Sequence, residues 1–417
     1  MLLTSSDNHP PAMTAHRPGF FINRDFAFYW FVRIFTMAAF QMLAVAVGWQ
    51  IYDITRSALD LGMVGLIGFL PALLFVLVAG HVADRYNRRS IVQLCNIAQC
   101  LIAVTLGVAS WQGWISREAI FIAAFLLGIT KTFGSPTLAA MLPALVRTED
   151  LPRAVSASSA AMQAAIISGP ALGGIAYVGG AETVYAITAL LYAASAALLG
   201  LVAYTHTPPA PVANPEDNSV FAGIAFIRKN PVLLGAISLD LFAVLLGGAT
   251  ALLPIFARDI LQTGPWGLGL LRAAPAAGAL LMSVGLAKFP LEKSVGKIMF
   301  GAVAVFGVAT LVFALSTSLL LSMGALFVLG AADMISVVVR SSLVQLETPD
   351  AMRGRVNAVN FLFIGASNQL GEFESGATAA LFGVIPAVII GGAGTLLVVA
   401  LWMRWFPELT QRDKLVA

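Results

Sequence analysis

Apolar residues run through this chain in long stretches, each about the length that crosses a hydrocarbon core as an α-helix, roughly 20 residues at 1.5 Å per residue. Twelve such stretches are legible. The first six are 26–51, 62–83, 91–111, 119–140, 154–178 and 184–204; the second six are 231–257, 266–287, 298–315, 319–339, 356–378 and 380–402. The pattern breaks over 205–230, where Thr207-Pro208-Pro209-Ala210-Pro211 and Asn214-Pro215-Glu216-Asp217 read as a linker. Within it, Phe221, Ile224, Ala225 and Ile227 followed by Arg228-Lys229 predict a short amphipathic helix on the membrane surface. The expected organisation is a tail 1–25, a six-helix bundle 26–204, the linker 205–230, a second six-helix bundle 231–402 and a tail 403–417. Residues 1–25 are polar and carry no apolar core of a cleaved leader, so the first span is expected to act as the insertion signal.

Composition identifies the solvent. Hydrophobic residues make up 59% of the chain and charged ones 11%, against about 25% charged in soluble domains, so lipid must face most of this surface. The net charge of +3 comes from scattered basic residues rather than a basic face, which excludes a nucleic-acid binder. No phosphate-binding loop, dinucleotide fingerprint or nucleophile motif is present, and four histidines and two cysteines form no metal-ligand pattern. An enzyme, a cofactor and a metal are therefore not expected. Cys95 and Cys100 read as small packing residues.

Lys and Arg are retained on the cytoplasmic side of inner membranes. With the N-terminus there, 18 of the 24 basic residues face the cytoplasm, Arg340 among them, and Arg56, Arg117 and Arg258 face outward. Both termini are accordingly expected in the cytoplasm. Arg33, Lys131 and Arg272 fall inside or at the edge of spans.

The two halves are related. Phe125-Leu126-Leu127-Gly128 recurs as Phe327-Val328-Leu329-Gly330, an offset of 202 residues that also carries Gly169 onto Gly371. Such a repeat implies two parallel bundles with a site at their interface. Between the second and third spans stands Gly80-His81-Val82-Ala83-Asp84-Arg85-Tyr86-Asn87-Arg88-Arg89. It resembles the signature loop of the major facilitator superfamily, with Asn87 where a second glycine is usual. Gly80 is expected to permit a close helix approach, Asn87 to tolerate a left-handed turn, and Asp84 to cap the third span or pair with an arginine. Gly169, Pro170, Gly173 and Gly174 resemble the end of that superfamily's antiporter motif, and a tight helix crossing accounts for them equally well. The run Gln345-Leu346-Glu347-Thr348-Pro349-Asp350-Ala351-Met352-Arg353-Gly354-Arg355-Val356-Asn357 is similar to the branch of siderophore and drug exporters. The resemblance implies an all-α membrane protein of twelve transmembrane helices in two pseudo-symmetric six-helix bundles. It also implies that the first, fourth, seventh and tenth spans line a central cavity.

A charge in mid-span costs on the order of 3 kcal/mol and needs a partner, a water-filled cavity or a function. Arg33, Lys131, Asp240 and Asp333 fall on those four spans and are the expected cavity and gating residues. The repeat offset maps Lys131 onto Asp333, which predicts that the two pair across the cavity when its cytoplasmic side closes. Asp240, Asp333 and Glu372 are the candidate proton carriers, Glu372 reading equally well as a solvated charge at the outer mouth. Arg272 is expected at that mouth. The resulting expectation is a proton-coupled, monomeric exporter of a small amphipathic molecule in a bacterial-type inner membrane. Uptake of a metabolite and flipping of a lysophospholipid are the alternatives within transport, and a membrane receptor or scaffold the alternative outside it.

Overall fold

A computed structural model describes residues 23–204, 220–291 and 293–414. Most of the N-terminal tail, including Arg17, the Pro-rich part of the linker at 205–219 and residues 415–417 lie outside the described residues.

The first half is six helices: α1 (Arg24–Thr55), α2 (Ala58–Arg85), α3 (Arg88–Trp111), α4 (Arg117–Leu145), α5 (Leu151–Ala176) and α6 (Ala181–Leu201). Short polar side chains set several starts: Asn23, Ser57, Asn87 and Ser116 each accept a hydrogen bond from a backbone N–H of the first turn. The predicted amphipathic helix is α7 (Val220–Lys229), which packs against α8 (Pro231–Leu246) and α13 (Asp350–Phe382). The remaining helices are α9 (Leu253–Ile255), α10 (Pro265–Lys288), α11 (Val295–Leu315), α12 (Leu319–Glu347), α14 (Val384–Trp405) and the short α15 (Pro407–Thr410).

Among the described residues, eleven helical segments are long and apolar enough to cross a membrane. The eleventh predicted span, 356–378, falls within the 33-residue α13, which is long enough but too polar for that measure, with Glu372 and Glu374 among its charges. The seventh predicted span is broken. After α8 the chain passes Gly247 and Gly248, a 3-10 turn (Ala249–Leu252), α9 and a π-helical turn (Phe256–Ile260). Gly248 sits where any side chain would strike the backbone of Gly371, at 2.8 Å from its carbonyl, so the break is also a close helix contact.

The repeat is visible in the packing. α1 packs on α5, α2 on α4 and α3 on α6, and in the second half α8 packs on α13, α10 on α12 and α11 on α14. The glycines related by the offset hold equivalent contacts: Gly128 meets Gly68 and Pro71 of α2, and Gly330 meets Pro275 of α10.

The apolar cores show how the halves meet. One core joins Trp49, Leu106 and Tyr185 of the first half to Leu253, Phe256 and Phe313 of the second. Toward the opposite end each half keeps its own, around Phe26, Met141 and Leu199 in one and Leu233, Val344 and Trp402 in the other. The joined end is sealed by bare backbone. Gly174 of α5 lies on Gly269 and Pro265 of α10, and Gly62 and Gly376 bring α2 against α13. A methyl at Gly174 would lie 2.5 Å from the Pro265 carbonyl oxygen. Gly174→Val therefore penalises the closed end by about 1–3 kcal/mol. With Cys95 and Cys100 replaced by serine and Ala44→Cys as reporter, Ala44 lining a cavity between the halves, labelling by an impermeant maleimide from the joined side is expected to rise about tenfold, as a shift of ~1.4 kcal/mol implies.

Candidate functional site

A cavity of about 260 Å³ lies between the halves. Phe40, Leu43, Val47, Leu61, Val64 and Leu127 make it largely apolar, and Gln41, Lys131, Arg272, Gln369 and Glu372 supply its polar groups. Lys131 comes from α4, Arg272 from α10 and Glu372 from α13, so both halves contribute charge. The surface of Lys131 borders the open cavity, and its Nζ stands 4.5 Å from the centre of the Phe40 ring. Glu372 is under the attraction of both Arg272 and Lys131.

Two glycines make room for these side chains. A methyl at Gly48 would lie 3.3 Å from Arg272 Nη2, and one at Gly65 would lie 2.5 Å from Glu372 Oε2. Arg272 thus projects into the cavity rather than to the outer mouth where the sequence suggested it, because α10 places it beside Gly48 of α1. Its Nε has no hydrogen-bond partner among the described residues.

The other three predicted cavity charges lie elsewhere. Asp240 of α8 is 5% exposed and pairs with Arg340 of α12, which is 2% exposed. Arg340 is therefore no loop residue: α12 continues to Glu347, past the predicted end of that span, and carries Arg340 into the second bundle. Asp333 stands seven residues before Arg340, two turns up the same helix face. It lines a small pocket with Asp240, Val303, Phe306 and Ser336. The structure does not bring Asp333 to Lys131: α4 and α12 form no packed interface among the described residues, and Asp333 turns inward within its own half. Arg33 lies between α1 and α5, donating to the Tyr29 hydroxyl at 3.3 Å and contacting Met162 Sδ at 3.1 Å.

The joined end carries a charged seam that sequence reasoning had treated only as loop charges. Asp53 of α1 pairs with Arg258 of the π-helical turn, Tyr52 donates to Asp259, and Arg56 stands 3.9 Å from Asp259. Arg258 also lies over the Trp49 ring at 5.7 Å. Two opposite-sense ion pairs therefore bridge the halves at partly exposed positions.

The signature loop holds helix ends together. Arg88 donates to the carbonyls of Ala83 and Ala140, and Arg89 to those of Gly200 and Val202, so the loop ties α2 and α3 to α4 and α6. Asp84 lies 3.6 Å from Arg88, while the cap of α3 is Asn87. Asn87 has φ −62°, not a left-handed turn, because its side chain is needed on the Arg89 N–H. Gly80 makes no close approach, with nothing among the described residues within 4 Å of where its side chain would be. Arg85 is exposed at the end of α2. In α5, Gly169 and Gly173 bear on Gln41 and Met42 of α1, and Pro170 and Gly174 bear on α10.

The profile of a family described as transmembrane secretion effector matches residues 18–415. Among curated relatives, the enterobactin exporter EntS of Citrobacter koseri is 26% identical over 392 residues, covering 90% of each chain. EntS of Escherichia coli is 25% identical over the same share. Among solved structures, a bacterial homologue of the human lysosomal transporter Spinster in an inward-facing and occupied conformation superposes with a TM-score of 0.71. It is 15% identical and covers 93% of this chain and 98% of its own. A bacterial homologue of the iron transporter ferroportin in an inward-facing state gives 0.69 at 17% identity, covering 93% and 99%.

The sealed pair in the second bundle has a measurable consequence. Arg340→Ala strands Asp240 in an apolar core, at a cost of roughly 3–5 kcal/mol. Thermal unfolding of the detergent-solubilised protein is expected to fall sharply, and Asp240→Asn combined with Arg340→Gln is expected to recover most of the loss.

Proposed function

Because the chain belongs to the transmembrane secretion effector family, within the major facilitator superfamily, we propose that it exports a small amphipathic molecule, siderophore or drug-like, across the inner membrane by alternating access. The observation that carries this reading is the cavity between the halves, charged from both sides and closed at one end by a shared apolar core, glycine contacts and partly exposed ion pairs. The names of the enterobactin exporters support the direction and the substrate class.

With both termini in the cytoplasm, as the basic residues favour, the sealed end with Asp53 and Arg258 faces outward and the described state is open to the cytoplasm. Binding then draws substrate from inside, and release follows when the seal parts and the cytoplasmic ends close.

Protons supply the drive in this reading. The small pocket of the second bundle holds two carboxylates, Asp240 and Asp333, and one guanidinium, Arg340. Asp240 has Arg340 as its partner, so Asp333 is the acid whose charge a proton neutralises. In proteoliposomes with an acidified lumen and the cavity's cytoplasmic side outward, a catecholate siderophore or an amphipathic dye is expected to accumulate inside. Asp333→Asn is expected to abolish pH-driven accumulation while leaving downhill exchange of the same compound within about threefold, because the bound-proton state is mimicked in both conformers. Accumulation that is indifferent to the pH gradient sinks the proton coupling, and export of none of the compounds screened sinks the reading as a whole.

A further inference from the structure

The cavity contains two cations and one carboxylate. Lys131 and Arg272 approach from opposite halves, Glu372 lies between their fields, and one positive charge is left without a protein counter-ion there. The remaining wall is aromatic, aliphatic or glycine, with Gln41 and Gln369 as its neutral polar groups. An uncompensated charge in such surroundings is costly, and a ligand that completes the balance gains what the protein lacks. The buried Arg272 Nε has no acceptor among the described residues, which leaves it a donor to the cavity's occupant. Phe40, beside the Lys131 ammonium, offers a flat apolar surface next to that charge.

Resting on the reading of this cavity as the transport site, we infer that the site selects a molecule with a single anionic group and an apolar, ring-containing body. The anion sits between Lys131 and Arg272, and the body lies along Phe40, Val47 and Leu61. Glu372 is the specificity-determining residue: it occupies part of the cationic field, so a monoanion balances the site where a dianion or a cation does not. Gly48 and Gly65 leave room at the cavity wall for the heads of Arg272 and Glu372.

A matched pair of probes tests the charge alone. Dansylglycine carries one carboxylate and dansylcholine one quaternary ammonium on the same fluorophore. Equilibrium binding to the purified protein in lipid nanodiscs is read against empty nanodiscs. The wild-type protein is expected to bind dansylglycine at least about tenfold more tightly than dansylcholine, and Lys131→Gln and Arg272→Gln are each expected to erase that preference. Arg272→Lys, which keeps the charge, is expected to retain it, so a loss in Arg272→Gln reports charge and not folding. Glu372→Gln is expected to tighten dansylglycine about tenfold, because the competing carboxylate is gone. Equal or tighter binding of dansylcholine by the wild type overturns the inference, as does a preference for dansylglycine that survives both glutamine variants. Tight dansylglycine binding by a protein that transports nothing overturns the transport reading and leaves the charge selection intact.

Discussion

An ion inside an apolar bundle must find either a partner or water, and the arrangement of this molecule follows from how few ions it has and where they go. Asp240 and Arg340 satisfy each other inside the second bundle, almost fully sealed from solvent. Lys131, Arg272 and Glu372 instead share a cavity, which must stay open to water or ligand for three charges of unequal sign to be tolerated. Arg33 is held between α1 and α5 by a tyrosine hydroxyl and a methionine sulfur. The sealed set gives the second bundle a fixed internal register, and the open set gives the interface a reason to remain hollow.

Glycine determines where hollow gives way to contact. At the joined end, Gly62, Gly174, Gly269 and Gly376 let helices of opposite halves touch backbone to backbone, beside the apolar core that the halves share. The same device appears inside the cavity, where Gly48 and Gly65 receive the heads of Arg272 and Glu372. The broken helix after α8 belongs with these. Gly247 and Gly248 end regular structure where Gly371 of α13 comes close, and the freed turns carry Arg258 and Asp259 to the charged seam with α1.

Membrane spans were legible because hydrophobic length is a nearly sufficient signal in lipid, and the offset of 202 residues named helix pairs that do occupy equivalent positions. The same offset relates Lys131 and Asp333, which stand apart in the described state. Equivalence under the repeat fixes depth and helix, but which way an acid turns depends on its neighbours, and Asp333 shares a helix face with Arg340, whose partner Asp240 lies inside the second bundle. Arg340 itself was lost to the loop because its span was ended before the first basic residue, whereas a charge with a buried partner does not end a helix. Glu372 was found from its position among polar residues of α13. Arg272 was seen but misplaced, since only the packing of α10 against Gly48 reveals that it turns inward. The break after α8 had a signal in the pair Gly247-Gly248, hidden by the unbroken hydrophobicity around it.

The two charge sets are also mechanically adjacent. A methyl at Gly371 of α13 would lie 2.9 Å from the carbonyl oxygens of Val244 and Leu245, one turn beyond Asp240 on α8. The next residue, Glu372, reaches the cavity and lies against Gly65 of the other half. A shift of α13 along α8 therefore moves Glu372 relative to Lys131 and Arg272 while altering the packing beside Asp240 and Asp333. In the proposed cycle, protonation in the sealed pocket and ligand charge in the cavity bias the same helix seam, which is the physical requirement for coupling between separate sites. Backbone contact at Gly371 makes that seam stiff: with no side chain to rearrange, displacement at one end is transmitted instead of absorbed.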